Sequence, residues 1–182
     1  MERIQNGDAA ALDEVLRRFW LPLVSYAAHL LRDPDAAEDA VQEALLRFWE
    51  ARATWMASDR LGGFLYQATR NICLNELDKR RVRTAWAHQQ RRSERPQAAS
   101  PLELTERAQL RALLIEVIDE LPPKRREVFV LARFHARTYR DIAEIMDISP
   151  RTVANQLSAA VRDLRKRLQP ELAKFFPDEA AE

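Results

Sequence analysis

Apolar side chains recur at three- and four-residue spacing along most of the chain, whereas the alternation of Val, Ile and Thr between glycine-rich turns that marks strands is missing. The pattern predicts helices. Asp8 is placed to cap a first helix carrying Leu12, Val15, Leu16 and Phe19 on one face. Pro22 is expected to kink or restart that helix before residues 23–31 continue it. Asp33-Pro34-Asp35 then supplies an N-cap, a proline at the first helical position and an acid where the helix dipole favours one. The helix it opens runs to about Arg52 and turns Ala37, Val41, Ala44, Leu45 and Phe48 to the core. After a break around residues 55–59, another helix spans roughly 61–81 with an unusually wide apolar arc: Leu61, Phe64, Leu65, Tyr66, Ala68, Ile72, Cys73 and Leu77.

Residues 84–104 change character: polar, with Pro96 and Pro101 and little apolar periodicity, they read as a flexible linker. Helices resume at about 105–120, 124–134, 138–147 and 150–168, the first break forced by Leu121-Pro122-Pro123. The expected fold is all-α: two small helical domains, 1–83 and 105–170, joined by the linker 84–104 and followed by a tail, 171–182.

Composition removes most enzyme classes. Among 182 residues only three are glycine, which leaves no material for a phosphate-cradling loop. One cysteine, Cys73, allows neither an intrachain disulfide nor a cysteine-based zinc site, and is most simply a small core residue in a reducing compartment. His29, His88 and His135 stand without a ligand spacing, so neither metal nor cofactor is expected. No apolar run suits a bilayer span or a signal-peptide core, so membrane insertion and secretion are not expected. The formal net charge is +1; residues 1–83 hold 12 basic and 13 acidic side chains, residues 107–182 hold 14 and 12. That balance does not suit a free-standing electrostatic DNA clamp, but it permits a DNA-reading subunit carried by a larger machine.

Residues 138–168 carry the sharpest local signal. Tyr139, Ile142, Ala143 and Met146 share one face of a short helix, a tight turn Asp147-Ile148-Ser149 follows, and Ser149 caps a helix opening with Pro150. The small Ala143 lets the two helices cross closely, as a helix-turn-helix requires. In the last helix Val153, Leu157, Ala160, Val161, Leu164 and Leu168 oppose Arg151, Ala154, Asn155, Ser158, Arg162 and Arg165. Asn155 can pair bidentately with adenine, Ser158 can donate or accept, and Ala154 can touch a thymine methyl. Arg151, Arg140, Lys124, Arg125 and Arg126 suit phosphates. An ordinary amphipathic hairpin with a solvated face would show the same spacing.

The wording Leu121-Pro-Pro-Lys-Arg-Arg-Glu-Val-Phe, Tyr139-Arg-Asp-Ile-Ala-Glu-Ile-Met and Ser149-Pro-Arg-Thr-Val-Ala-Asn-Gln-Leu resembles region four of the extracytoplasmic-function (group 4) sigma factors of the sigma-70 family. The resemblance implies binding to the promoter's minus-35 element through Arg151, Thr152, Ala154, Asn155, Ser158, Arg162 and Arg140, and to the polymerase flap. Ser-Pro-Arg-Thr-Val looks most like the branch linked to iron-siderophore uptake. The chain departs from many members at Ala154 and Ala159, where basic residues are common.

On the Asp33-capped helix, Asp39, Gln42, Glu43, Leu46 and Glu50 form an acidic, partly apolar stripe that suits either docking on a basic helix pair or plain solvation. Ala37-Glu-Asp-Ala-Val-Gln-Glu with Leu-Arg-Phe-Trp resembles region two of the same family. The resemblance implies that Asp39, Gln42, Glu43 and Leu46 contact the clamp helices of core RNA polymerase. On the next helix Gln67, Arg70, Asn71, Leu74, Asn75, Asp78 and Arg81 form a narrow stripe. Amides at i and i+4 can read base edges, or merely face water. Phe64-Leu-Tyr-Gln-Ala-Thr-Arg-Asn resembles the segment that lies along the minus-10 element in the family, which implies that role for Gln67, Arg70, Asn71 and Asn75. The preceding loop falls where the family captures a flipped-out base, with Trp55 to stack and Ser58 or Asp59 to hydrogen-bond. Lys79, Arg80, Arg81 and Arg83 are read as ending this helix, as dipole caps or phosphate contacts.

The resemblance covers residues 8–83 and 105–168. It implies a cytoplasmic, non-enzymatic bacterial sigma factor with three partners: core RNA polymerase, promoter DNA and an anti-sigma factor. The alternatives are a helix-turn-helix regulator acting without polymerase, a protein-binding scaffold, and an enzyme with an unrecognised site.

Overall fold

A computed structural model describes residues 2–53, 61–87 and 106–175. In chain order they form α1 (Glu2–Gln5), α2 (Ala9–Leu31), α3 (Pro34–Glu50), a single 3-10 turn (Ala51–Ala53), α4 (Leu61–Ala87), α5 (Glu106–Asp119), α6 (Pro123–Arg133), α7 (Tyr139–Met146) and α8 (Pro150–Phe175). No strand occurs among the described residues. The fold is all-α, as the periodicity predicts.

The caps form where the sequence places them. The Asp8 carboxylate accepts from the Ala10 and Ala11 amides at 2.9 and 3.4 Å. Asp33 accepts from the Ala36 amide at 3.1 Å and from Arg80 Nη2 at 2.9 Å, so the cap of α3 is tied to α4. These bonds, the Ala36 amide foremost, hold the Asp33 carboxyl below the ordinary carboxylate range. Pro22, expected to kink or restart the first helix, does not restart it: α2 is unbroken across it. A proline in a helix interior costs ~3 kcal/mol, and full burial of a large side chain returns ~1.5–3 kcal/mol. Phe19, Leu23 and Tyr26 on either side of Pro22 are all buried, so packing outweighs the local penalty.

α2, α3 and α4 pack together around Leu23, Val41, Phe48 and Leu65, with Ala37, Ala40 and Ala44 giving α3 a small-residue stripe. α4 runs past its expected end at residue 81, so its basic cluster lies within the helix and does not cap the end. Arg80 and Arg83 instead pair with Glu76 at 3.1 and 2.9 Å.

In the second half, α5 ends at Asp119, just ahead of Leu121-Pro122-Pro123, and Pro123 opens α6. α7 begins with a capping box: the Thr138 hydroxyl accepts from the Asp141 amide at 3.2 Å and the Asp141 carboxylate accepts from the Thr138 amide at 3.0 Å. Asp147, at φ 54°, ends α7 in the left-handed region, and Ser149 Oγ accepts the Thr152 amide at 3.0 Å to start α8. α5 and α8 share a small cluster of Val117, Ile118, Leu121, Ala160 and Leu164.

The two halves do not stay apart. One apolar cluster runs from Ile4 in α1 through α2–α4 into Val128, Leu131, Ile142 and Leu157 of α6–α8. α2 meets α6, and α4 meets α7. The wide arc of α4 follows from this: it is covered on one side by α2 and α3 and on another by the C-terminal helices.

Candidate functional site

Three surfaces carry the expected functional residues. On α8, Arg151, Asn155, Ser158 and Arg162 are exposed, with Thr152 and Ala154 half-buried behind them and Arg140 exposed on α7. The Thr152 hydroxyl lies 2.8 Å from Ser149 Oγ, so it helps fix the start of α8. Arg133, Arg162 and Arg165 border a hollow with Tyr139, Leu157 and Ser158, and these arginines make no ion pair among the described residues. Tyr139, expected on the apolar face of α7, is 47% exposed at the rim of this hollow. It is the first residue of an eight-residue helix, one turn ahead of Ile142, Ala143, Ile145 and Met146, which make the buried face. Arg125 and Arg126, expected to be open to phosphate, are engaged: Arg125 pairs with Asp163, and Arg126 Nη1 reaches the Asp119 carboxylate at 3.3 Å. Lys124 stays exposed.

On α3, Asp39, Gln42, Glu43 and Leu46 are exposed along one stripe. Glu43 pairs with Arg47 one turn on, and Leu46 is 55% exposed beside it. Leu46 thus stands exposed between Glu43 and Glu50 on the side of α3 away from its packed face.

On α4, Asn71 and Asn75 are exposed one turn apart, as the stripe requires. Gln67 is exposed, and its amide reaches the Glu144 carbonyl at 3.4 Å. Arg70 does not lie on the open stripe: its side chain is 15% exposed and its Nε donates to Glu127 Oε1 at 2.7 Å. Trp55, Ser58 and Asp59 lie outside the described residues. Gly62, near the start of α4, would carry a Cβ 3.0 Å from Arg137 Nη1 and 3.2 Å from the Phe19 ring, so glycine permits that approach.

The Arg70 partner belongs to a buried polar junction between the halves. Glu127, 6% exposed on α6, also accepts from the Tyr26 hydroxyl at 2.7 Å. Burial, with the adjacent Glu127 charge adding to it, pushes the Tyr26 phenol well above its usual range. Nearby, the Tyr66 hydroxyl lies 3.0 Å from His135 Nδ1, and the Arg137 guanidinium stands 4.4 Å over the Tyr66 ring. Burial, helped by His29 and Arg137, depresses the His135 imidazole to about 4. The Cys73 thiol is pushed up to about 12 by burial first and by Glu127 second, which fits its reading as an unreactive core residue. Glu127 drew no attention in the sequence. Its signal is a carboxylate at the same helical register as Val128, Val130 and Leu131, all buried.

Among the described residues no His, Cys, Asp or Glu cluster is arranged to hold a metal, and no helix is long and apolar enough to cross a membrane.

Together these are surfaces of an all-helical protein with a helix-turn-helix, an exposed amide pair on α4 and an acidic stripe on α3. Residues 16–83 match sigma-70 region 2 and residues 111–164 match sigma-70 region 4. The chain belongs to the sigma-70 family, and its relatives place it with the extracytoplasmic-function type. It is 28% identical to the RNA polymerase sigma-H factor of Pseudomonas aeruginosa over 180 residues, covering 94% of this chain and 93% of that one. It is 30% identical to the ECF RNA polymerase sigma factor SigL of Mycobacterium tuberculosis, covering 90% and 94%. Its fold is similar to the sigma factor RpoE from Bartonella quintana, solved in complex with the anti-sigma factor NepR, at a TM-score of 0.69 and 20% identity, covering 86% and 96%. It is also similar to CnrH in complex with the cytosolic domain of CnrY, at a TM-score of 0.67 and 17% identity, covering 93% and 94%.

Proposed function

We propose that the chain binds core RNA polymerase and directs promoter-specific initiation, with α8 reading the minus-35 element and α4 the minus-10 element. The observation that carries this reading is a coincidence of position. The region 2 match spans the exposed Asp39–Gln42–Glu43–Leu46 stripe and the Asn71/Asn75 pair, and the region 4 match spans the helix-turn-helix with Arg151, Asn155, Ser158 and Arg162 outward.

The roles divide by chemistry. The acidic stripe on α3 docks on the clamp helices, where opposite charge sets register and the exposed leucine supplies apolar contact. Asn155 and Ser158 read base edges; Arg151, Arg162 and Arg140 fix the helix on phosphates. Asn71 and Asn75, with Gln67 and Arg70 when they are free, line the minus-10 strand, and Trp55, Ser58 and Asp59 belong to the loop that captures a flipped base. With a net charge of +1 the free chain is a poor DNA binder. Joining two weak readers across residues 84–104 raises the effective concentration of the second once the first is engaged. Nucleotide transfer stays with the polymerase, so the chain itself catalyses nothing and works in the cytoplasm. The solved relatives with anti-sigma factors support a partner of that kind here, and the Ser149-Pro-Arg-Thr-Val wording supports membership of the iron-siderophore branch.

Reversing charge at Asp39 and Glu43 tests the docking role. Asp39→Arg with Glu43→Arg should abolish co-sedimentation with core polymerase at micromolar concentration while leaving the helical circular dichroism intact. Undiminished co-sedimentation would remove the stripe as the docking surface.

A further inference from the structure

We infer that the hollow bordered by Arg133, Arg162 and Arg165 is a phosphate clamp, which grips the backbone of duplex DNA at the wall of the groove that α8 reads. The inference deepens the proposed function and rests on it. Arg162 already has a phosphate role in that reading, and the clamp adds Arg133, Arg165 and Tyr139 to it.

Positive charge is spread unevenly along α8. Residues 152–160, the turns that carry Asn155 and Ser158, hold no lysine or arginine. The cations are gathered further on, at Arg162, Arg165, Lys166 and Arg167. Arg167 is spent on Glu120, just past α5, whereas Arg162 and Arg165 are exposed and border a hollow of about 340 Å³. Arg133 lines the same hollow from the last residue of α6, and Tyr139 from the first residue of α7. The acids next in sequence are occupied: Asp141 forms the capping box with Thr138, and Asp163 pairs with Arg125. Among the described residues the three arginines therefore share one hollow without a counter-charge. Like charges so placed repel one another, and an anion seated among them removes that repulsion.

Position selects the anion. Asn155, Ser158, Arg162 and Arg165 recur at three- and four-residue spacing and form one exposed stripe along α8. From the helical rise, Arg162 and Arg165 stand roughly 10 and 15 Å further along the axis than Asn155. The major groove is only about 12 Å wide. A helix that sets its amide on base edges thus carries these guanidinium groups out to the backbone. α6 and α7 close the grip from a second side, just as the first helix of a helix-turn-helix crosses the backbone. Guanidinium forks match phosphate oxygens bidentately, and the Tyr139 and Ser158 hydroxyls can donate to the oxygens left over. Anchoring and reading are thereby assigned to different turns of one helix.

The experiment follows binding of the full chain, assembled with core polymerase, to promoter duplex as salt is raised. Arg133→Gln and Arg165→Gln should each lower the slope of log affinity against log salt by roughly one unit, which is about a fivefold loss at physiological salt. Both side chains are exposed, so circular dichroism should stay unchanged. Across randomised minus-35 sequences the loss should be uniform, because phosphate carries no sequence. Arg165→Lys keeps the charge and should keep the slope, which a merely structural role for the guanidinium would not predict. An unchanged slope in the Gln variants, or a loss confined to particular minus-35 sequences, would overturn the clamp. So would weaker co-sedimentation of these variants with core polymerase in the absence of DNA, which would make the hollow a protein contact. A second arm uses the full chain alone on non-promoter duplex at low salt, where the same drop in slope is expected. That arm needs no polymerase, so a chain that fails to bind polymerase sinks the proposed function while the slope still decides the clamp.

Discussion

Asn155 stands exposed a turn and a half into α8, with Ser158 and Arg162 along the same arc and Leu157 buried behind them. Under the proposed function that amide pairs with one base and leaves its neighbours to other side chains. Replacing it with Ala should relax selectivity at one position of the minus-35 element, by ~1–3 kcal/mol of discrimination, scored by transcription from a randomised promoter library. An unchanged preference would remove Asn155 as a base reader. His135 makes a prediction of a different kind. Its imidazole is held at about 4 by burial against Tyr66, Tyr26, His29 and Arg137, whereas an unfolded histidine titrates near 6.5. Between those values the unfolded chain binds more protons, so the contribution is intact above pH 6.5 and is lost as pH falls toward 4. The melting temperature of the wild type should drop through that window by more than that of His135→Gln; parallel curves would contradict the assignment. Neither the depressed imidazole nor the Glu127 junction was legible from one sequence, because each depends on a partner far away in the chain.

At the scale of the element, most of the architecture was written in short-range chemistry. Asp8, Asp33, Thr138 and Ser149 all cap helices, and a cap needs only its own next three residues to declare itself. Where local signals misled, packing was the reason. Pro22 reads as a kink or a restart; the restart does not occur, since it lies in a continuous α2 with Phe19, Leu23 and Tyr26 buried around it. Pro22→Ala should therefore raise stability by about 1 kcal/mol or more by restoring a backbone hydrogen bond, worth ~2–4 °C in Tm for a chain of this size. A lowered Tm would show that the proline is accommodated without penalty. The basic run from Lys79 to Arg83 reads as a helix end, yet α4 continues to Ala87 and spends Arg80 on Asp33 and Glu76. Tyr139 fell on the wrong face because a two-turn helix offers too few apolar positions to fix its first residue. The acidic stripe on α3 was legible as a stripe; the docking role belongs to the proposed function, and the region 2 match spans it.

For the whole molecule, the all-helical fold and the order of its two regions follow from the sequence, but their mutual packing does not. The wide apolar arc of α4 and the carboxylate at apolar register in α6 were its only traces. A helix covered on two sides needs more apolar surface than one resting on a single neighbour. With the two halves packed, Arg151, Asn155 and the α3 stripe are exposed while Arg70 is covered by its pairing with Glu127. Under the proposed function a chain of near-neutral charge takes its grip on DNA from the machine it joins. Run-off transcription on a genomic fragment library, with core polymerase alone and with the chain added, tests this most directly. The account predicts new transcripts starting at a restricted set of sites that share two spaced elements, all of them lost with the Asp39→Arg/Glu43→Arg chain. Transcription identical with and without the chain would contradict it.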